Sequence, residues 1–428
     1  MSNAVEIIVT DEEWVTLPLS KVAELKGGFA FKSKEYTEDG IPILRMGNIT
    51  KNFQINWNKK KQPYYPEERI KEFEEYLLEG GELVICLTDM SNTGHYLGTV
   101  AINSKRALLN QRVSKFLFDE NAINQKLLYY ALCEPKCRHY MISDDTGSLQ
   151  KNTSHKHVLA YEITFPKSLE QQKSIVAKIE ELFSHIDAGI EALKKAKQLL
   201  KQYRQSVLKA AVTGELTKEW REANSISQES WKDSTIGEIA SVQTGKTPKR
   251  STAEFWENGT IAWLTSSATN EVFTHQAEQF VTQAAVDEGL KLFEPGTLLL
   301  AMYGEGKTRG QVTEITFQAT CNQACAAIIV DESKASRAFV RLRLYENYEE
   351  TRKAASGGNQ SNLNLSKVRD ITLPLPTLAE QDEIVIRVVQ KFEAIERLEN
   401  DIEAELLKTE KNKQSILASA FSGNLNQG

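Results

Sequence analysis

The sequence is poor in what catalysis, membrane insertion and disulfide scaffolds require. Its 428 residues include 5 cysteines and 6 histidines. An odd, sparse cysteine set excludes a disulfide framework and points to a reducing cytoplasm. No apolar run approaches the roughly 20 residues that span a bilayer, and no signal peptide is read. G-x-S-x-G and H-E-x-x-H are absent, as is a G-x-G-x-x-G suited to S-adenosylmethionine. The Asn/Asp-Pro-Pro-Tyr/Phe string that grips a target amino group is absent too, and no catalytic residue is assigned. Cationic excess is also lacking: 52 Lys and Arg face 58 Asp and Glu, a net charge of −6. That sum argues against nucleic acid as a partner, although it says little about any one face. Cys133/Cys137 and Cys321/Cys325 are spaced i, i+4, with His139 the one further ligand nearby. Zinc takes four ligands, so buried thiols are expected and no metal is assigned.

What is present is core material and a repeat. A hydrophobic content of 41% supports real cores, mean hydropathy is −0.40, and the length points to two to four units. Ser168-Leu169-Glu170-Gln171-Gln172 recurs 209 residues on as Thr377-Leu378-Ala379-Glu380-Gln381. Gln205-Ser206-Val207-Leu208, ending in Gly214, recurs at the same offset as Gln414-Ser415-Ile416-Leu417, ending in Gly423. An unslipped offset marks two helices of equal length, since an insertion would rotate the apolar face. Two copies are too few for a solenoid and imply a pseudo-two-fold molecule. The blocks before the helices are related more loosely. Trp14 and Gly28 parallel Trp231 and Gly245 at a common offset of 217, and Leu109-Asn110-Gln111 parallels Cys321-Asn322-Gln323. We therefore read mixed α/β (α+β) globules at 1–167 and 231–376, long helices at 168–216 and 377–428, and a linker at 217–230.

The helices carry the clearest pattern. Ser168/Gln171 and Thr377/Glu380 fit capping boxes. Ile175, Ile179, Leu182, Ile186, Gly189, Leu193, Ala196, Leu200, Tyr203, Val207 and Ala210 then alternate steps of four and three. That is a heptad seam whose small residues would let a partner approach closely. Its twin runs Ile384, Val388, Phe392, Ile395, Ile402, Leu406 and Ile416, with a polar middle at Glu399. Each rod spans about 65 Å. The first turns basic late (Lys194, Lys197, Lys201, Arg204, Lys209) and the second is acidic early (Asp382, Glu393, Glu399, Glu403), which favours antiparallel pairing.

Polar loops with cations and aromatics recur at matched places. The first globule offers Lys32-Ser33, Arg45 with Asn48, Lys59-Lys60-Lys61, and Asn92-Thr93 with His95. The second offers Lys246-Thr247, Lys249-Arg250, Ser266-Ser267, Tyr303, and Lys307 with Arg309. Gln111-Arg112 and Asn322-Gln323 are alternatives, either base contacts or structural ties of a strand end. Asn359, Gln360 and Asn362 lie in a further candidate loop. Arg, Asn, Gln and Ser read base edges, and Lys holds phosphates. Ala301–Thr308 nearly fits a phosphate-binding loop, with Ala where Gly belongs, but the chain continues through Arg309–Ile315 as turn then strand. A nucleotide-binding enzyme and a protein-binding coiled-coil adaptor are the competing readings.

Taken together, Trp14–Leu19, Gly40–Ile49, Ala301–Gly310, Ala319–Ala326 and Leu373–Gln381 resemble the specificity subunit of a type I restriction–modification system. The resemblance covers nearly the full length. It implies two target recognition domains, each reading half of a split, asymmetric sequence in double-stranded DNA. The antiparallel helices would set the spacer and dock two modification (methyltransferase) subunits. It implies no cofactor in this chain: S-adenosylmethionine, ATP and Mg would serve the modification and restriction (translocase/endonuclease) subunits. No membrane partner is implied.

Overall fold

The computed structural model describes residues 14–89, 96–143, 151–303, 308–348 and 363–422. The chain forms two compact units, Met1–Leu193 with Ala404–Gly428, and Lys194–Glu403. The first is called unit 1 and the second unit 2. The division differs from a plan of globule plus following helix. Each unit takes half of both long helices, because antiparallel packing brings the end of one helix beside the start of the other.

In unit 1 a four-stranded antiparallel sheet runs in the order Ala23–Gly27, Val113–Phe118, Leu83–Cys86, Val100–Ile102. Leu83–Cys86 is buried at all four positions, as its unbroken apolar run requires of a central strand. A second sheet holds a parallel pair, Ile41–Leu44 and Ala107–Leu109, flanked by Tyr64–Tyr65 and Leu77–Leu78. Unit 2 repeats the plan. Ala240–Thr244, Cys325–Val330, Leu298–Ala301 and Val312–Ile315 lie in order, with Phe273–Thr274 added at the edge. Ile261–Leu264 and Ala319–Cys321 form its parallel pair, flanked by Gln279–Val281. Each globule is closed by pairing its first strand with its last, Trp14–Pro18 with Glu162–Pro166 and Lys232–Thr235 with Thr372–Leu375.

The long helices are Leu169–Val212 and Leu378–Phe421, 44 residues each. Gly214 ends the first at φ +78°, a conformation that glycine adopts without Cβ strain; Gly423 lies outside the described residues. At each start one half of the capping box forms, Ser168 Oγ accepting from the Gln171 N–H and Thr377 Oγ1 from the Glu380 N–H, both at 3.4 Å. The Glu380 carboxylate does not return to the cap. It is fully buried and accepts from Arg221 Nη1 at 2.6 Å, Thr217 Oγ1 at 2.7 Å and Trp231 Nε1 at 2.9 Å. The expected linker 217–230 is accordingly folded: Lys218–Ala223 is a helix and its Arg221 is buried.

The next residue does more. Gln172 and Gln381 are both fully buried. Gln172 Oε1 accepts from the Asn124 N–H at 2.7 Å, and its amide donates to Pro166 O at 2.9 Å. Gln381 Oε1 accepts from the Ser336 N–H at 2.7 Å, and its amide donates to Pro376 O at 2.8 Å. Asn124 and Ser336 are the N-caps of Gln125–Leu132 and Arg337–Glu346. One buried amide therefore joins each long helix, the strand before it and a globule helix.

Ile179, Val207, Ile384, Val388 and Ile395 are buried along the seam. Ile175, Leu182, Ile186, Leu193, Leu200, Phe392, Ile402, Leu406 and Ile416 are half-buried. Two expectations fail. A Cβ on Gly189 would meet nothing within 4 Å, so it is not a close-approach site. Tyr203 is 46% exposed, and Arg204 takes the seam, its guanidinium 4.8 Å from the Phe392 ring centroid. A straight helix drifts about 20° per heptad from a 3.5 repeat, so a strict heptad reading walks off the contact line. The polar middle is bridged in unit 2 by Arg204–Glu399 at 3.4 Å and Lys197–Glu403 at 2.5 Å, and in unit 1 Lys413 meets Asp187 at 2.5 Å. All three pairs have the antiparallel sense.

Replacing Gln381 by Leu would strand a buried N–H and a buried carbonyl, each costing roughly 1–3 kcal/mol. We expect a clear drop in the urea midpoint; an unchanged midpoint would show the amide to be dispensable.

Candidate nucleic-acid interface

Both strands of a parallel pair end at the same edge, so the loops that extend from them share it. In unit 1 the Asn110 N–H donates to Leu44 O at 3.1 Å, and the Phe29 N–H to Leu109 O at 2.9 Å. Gly28 makes the second approach possible, since a Cβ there would lie 2.4 Å from the Leu109 and Asn110 carbonyl oxygens. Unit 2 repeats the construction. The Asn322 N–H donates to Leu264 O at 2.9 Å and the Lys246 N–H to Cys321 O at 2.9 Å. A Cβ on Gly245 would lie 1.7 Å from Cys321 O. The offset between the two glycines thus records a backbone crossing that admits no side chain.

The edge of unit 1 gathers Arg45, Asn48, Lys59 and Arg112. Arg45 is exposed, but Asn48 is 3% exposed. Its Oδ1 accepts from the Arg45 N–H at 3.0 Å, and its amide donates to Asn56 O at 3.0 Å and Gln62 Oε1 at 2.6 Å. With its amide spent inside the loop, Asn48 positions its neighbours and presents no edge to a ligand, contrary to expectation. The Lys59 ammonium lies over Gly47, 3.2 Å from where a Cβ would stand. Arg112 reaches Met46 Sδ at 3.8 Å. Lys60 and Lys61 are exposed, as is Gln111, whose N–H donates to Phe29 O. Lys32 and Ser33 are exposed on the continuation of the Phe29 segment.

In unit 2, Lys246 is exposed and Thr247 Oγ1 donates to Gln323 Oε1 at 2.7 Å. Arg250 is held 3.8 Å from the Trp256 centroid and donates to Gln279 Oε1 at 2.8 Å. Lys249 is exposed, and its carbonyl accepts from Trp256 Nε1. Ser266 and Ser267 open a 3-10 turn capped by Thr265, matching Met46–Asn48 in unit 1. Tyr303 is 38% exposed, and its N–H reaches Ala324 O beside the Asn322-Gln323 turn. Arg309 is half-buried. Asn92, Thr93, His95, Lys307, Asn359, Gln360 and Asn362 lie outside the described residues.

The Asn-Gln pairs divide. Asn110 is 7% exposed and Asn322 Oδ1 holds the Ala324 N–H at 3.0 Å, both structural, whereas Gln111 and Gln323 are exposed. Sequence reading missed Gln62, Trp256 and Gln279. The aromatic beside Lys249-Arg250 was a usable signal for Trp256; Gln62 and Gln279 gave none, since their partners are distant in the chain. The near phosphate-binding string falls between Leu298–Ala301 and Val312–Ile315, which pair antiparallel, so a strand follows where a phosphate site needs a helix; its residues 304–307 lie outside the described residues. Cys86 is buried and its thiol is pushed up to about 12 by burial; burial likewise raises Cys133 well above the usual thiol range. Among the described residues no group of His, Cys, Asp or Glu could hold a metal, and no helix is long and apolar enough to cross a membrane.

Asn48→Ala should loosen the loop while leaving its cations in place. We expect faster limited trypsin cleavage at Lys59–Lys61 and a loss of roughly 1–3 kcal/mol from the stranded groups; wild-type cleavage kinetics would refute the clasp.

The comparisons with known proteins agree with this duplicated architecture. Residues 11–201 and 228–408 match the type I restriction modification DNA specificity domain. The chain is 25% identical to the type I restriction enzyme EcoBI specificity subunit of Escherichia coli, covering 97% of this chain and 86% of that one. It is also 25% identical to the StySPI specificity subunit of Salmonella potsdam, at 97% and 89% coverage. The crystal structure of the HsdS subunit from Thermoanaerobacter tengcongensis shares the fold, with a TM-score of 0.60, 15% identity and coverage of 98% and 99%. A chain from a type I R-M system, described in terms of complex assembly and conformational transition, gives a TM-score of 0.67 at 14% identity over 96% and 98%. Matched in both halves of its sequence, the chain belongs to the type I restriction modification DNA specificity domain family and carries that domain twice.

Proposed function

We propose that this chain is the sequence-reading subunit of a type I restriction–modification complex, with unit 1 and unit 2 each reading one half of a split, asymmetric duplex target. The observation that carries this reading is the loop edge built twice on the same backbone plan and furnished with different side chains. Arg45 caps the 3-10 turn of unit 1 where Thr265 caps that of unit 2, Phe29-Ala30 follow the crossing glycine where Lys246-Thr247 do, and Gln111-Arg112 stand against Gln323-Ala324. A shared frame with divergent side chains is what two different half-sites require. Phosphate contacts position such an edge and a few groove contacts specify the bases. The two 44-residue helices set the spacer and dock two modification subunits. Those subunits supply S-adenosylmethionine and transfer methyl groups to adenine, and a restriction subunit adds ATP- and Mg-dependent translocation and cleavage. This chain takes no cofactor, performs no chemistry and works in the cytoplasm.

The test is a map of methylated adenines in cells that express this chain with its modification subunit. A bipartite motif with an unspecified spacer is expected. The pair Lys246→Ala and Gln323→Ala should relax or weaken recognition in one half of the motif and leave the other intact. Methylation that is absent, or changed equally in both halves, would overturn the reading.

A further inference from the structure

One segment of unit 1 is at odds with the acidic character of the chain. Between Ile41 and Pro66 there is no Asp or Glu, while Arg45, Lys51, Lys59, Lys60 and Lys61 fall inside it. The whole protein carries a net charge of −6. The equivalent excursion of unit 2 leaves strand Ile261–Leu264 and returns at Gln279–Val281, with Ile261 paired to Val281 as Ile41 is to Tyr65. It contains no Lys or Arg and carries Glu271 and Glu278. The same structural position is therefore strongly cationic in one unit and mildly anionic in the other.

The cationic excursion is held firmly. Its base is closed by the Ile41–Tyr65 and Pro42–Tyr64 pairs. The Asn48 amide clasps Asn56 and Gln62. Met46, Ile55 and Trp57 pack beside buried Leu44 and Ile49. The five cations are exposed, and among the described residues none pairs with a carboxylate. Lys26, Arg69 and Arg106 of the same unit all do. Lys51 lies 5.9 Å over the Tyr96 ring, a contact that leaves its charge intact. A fixed loop that concentrates unneutralised cations accepts self-repulsion, and a polyanion relieves it. Arg45 and Lys59 flank the 3-10 turn that Arg112 touches, so the cations border the edge assigned to base reading.

We infer that the acid-free excursion of unit 1 is a phosphate clamp that supplies most of the sequence-independent affinity for duplex DNA. Of the edge cations of unit 2 among the described residues, Arg250 is stacked on Trp256 and bonded to Gln279 and Arg309 is half-buried, so Lys246 and Lys249 carry its phosphate contacts. This division of labour rests on the sequence-reading function proposed for the chain. It makes the two halves unequal: unit 1 dominates the salt dependence, and unit 2 contributes mainly discrimination.

The experiment measures binding of the chain, assembled with its modification subunit, to a random-sequence duplex over a series of salt concentrations. Each phosphate contact contributes about 0.9 to the logarithmic salt slope. The triple variant Lys59→Gln, Lys60→Gln, Lys61→Gln should lower the slope by about 2–3 and weaken binding equally for target and random duplexes. Its thermal midpoint should be that of the wild type. The pair Lys246→Gln, Lys249→Gln should move the slope less. Wild-type binding with an unaltered slope in the triple variant would overturn the clamp and leave sequence reading standing. So would loss of discrimination at one half-site without a change of slope. A wild-type complex with no salt-dependent affinity for any duplex would overturn both.

Discussion

The fold depends on one constraint, met twice: a glutamine amide sealed away from water where globule and rod meet. An unpaired polar group in such a place costs more than its hydrogen bonds return. Gln172 and Gln381 can therefore be buried only when three backbone segments arrive together. The helix start, the preceding strand and the cap of a globule helix are fixed at one stroke. In unit 2 the adjoining Glu380 extends the joint, drawing Thr217, Arg221 and Trp231 into the same dry cluster. Removing one partner of such a pair is far worse than never having had it, since the charge left behind stays buried. These joints give the rods a defined departure from their globules.

The frame above the joints is repeated in backbone and free in side chain. The crossings at Gly28 and Gly245 leave no room for variation. The loops beyond them differ in chemistry: an acid-free, lysine-rich excursion in one unit, and tryptophans with a stacked Arg250 in the other. Asn48 marks the boundary between the two regimes. It lies among candidate contact residues but belongs to the frame.

Local periodicity was legible and non-local pairing was not. The long helices could be read to within a few residues because heptad spacing and caps are encoded within each helix. Their seam was misplaced at Gly189 and Tyr203, because a strict heptad count ignores the drift of a straight helix. The parallel pairs could not be read: Leu44 meets Leu109, and Leu264 meets Cys321, across long intervening stretches. The site divided the same way. Exposed cations such as Lys59–Lys61 announced themselves by composition. The inward role of Asn48 depended on Gln62, and the posture of Arg250 on Gln279. Glu380 reads as a capping residue in the sequence because its better partner, Arg221, lies in a segment with the composition of a linker.

The way the rods are shared has a consequence for synthesis. Unit 2 is an unbroken stretch, Lys194–Glu403, whereas unit 1 needs Ala404–Phe421 from the far end of the chain. On the ribosome the domain made first is thus the one completed last. Until the final helical turns emerge, the apolar stripe of Val176 and Ile179 waits for Leu417, Ala420 and Phe421. A chain that stops early would release a finished second reader joined to an unfinished first one, and would expose apolar surface at the seam. Both readers are complete only once the second long helix has closed against the first.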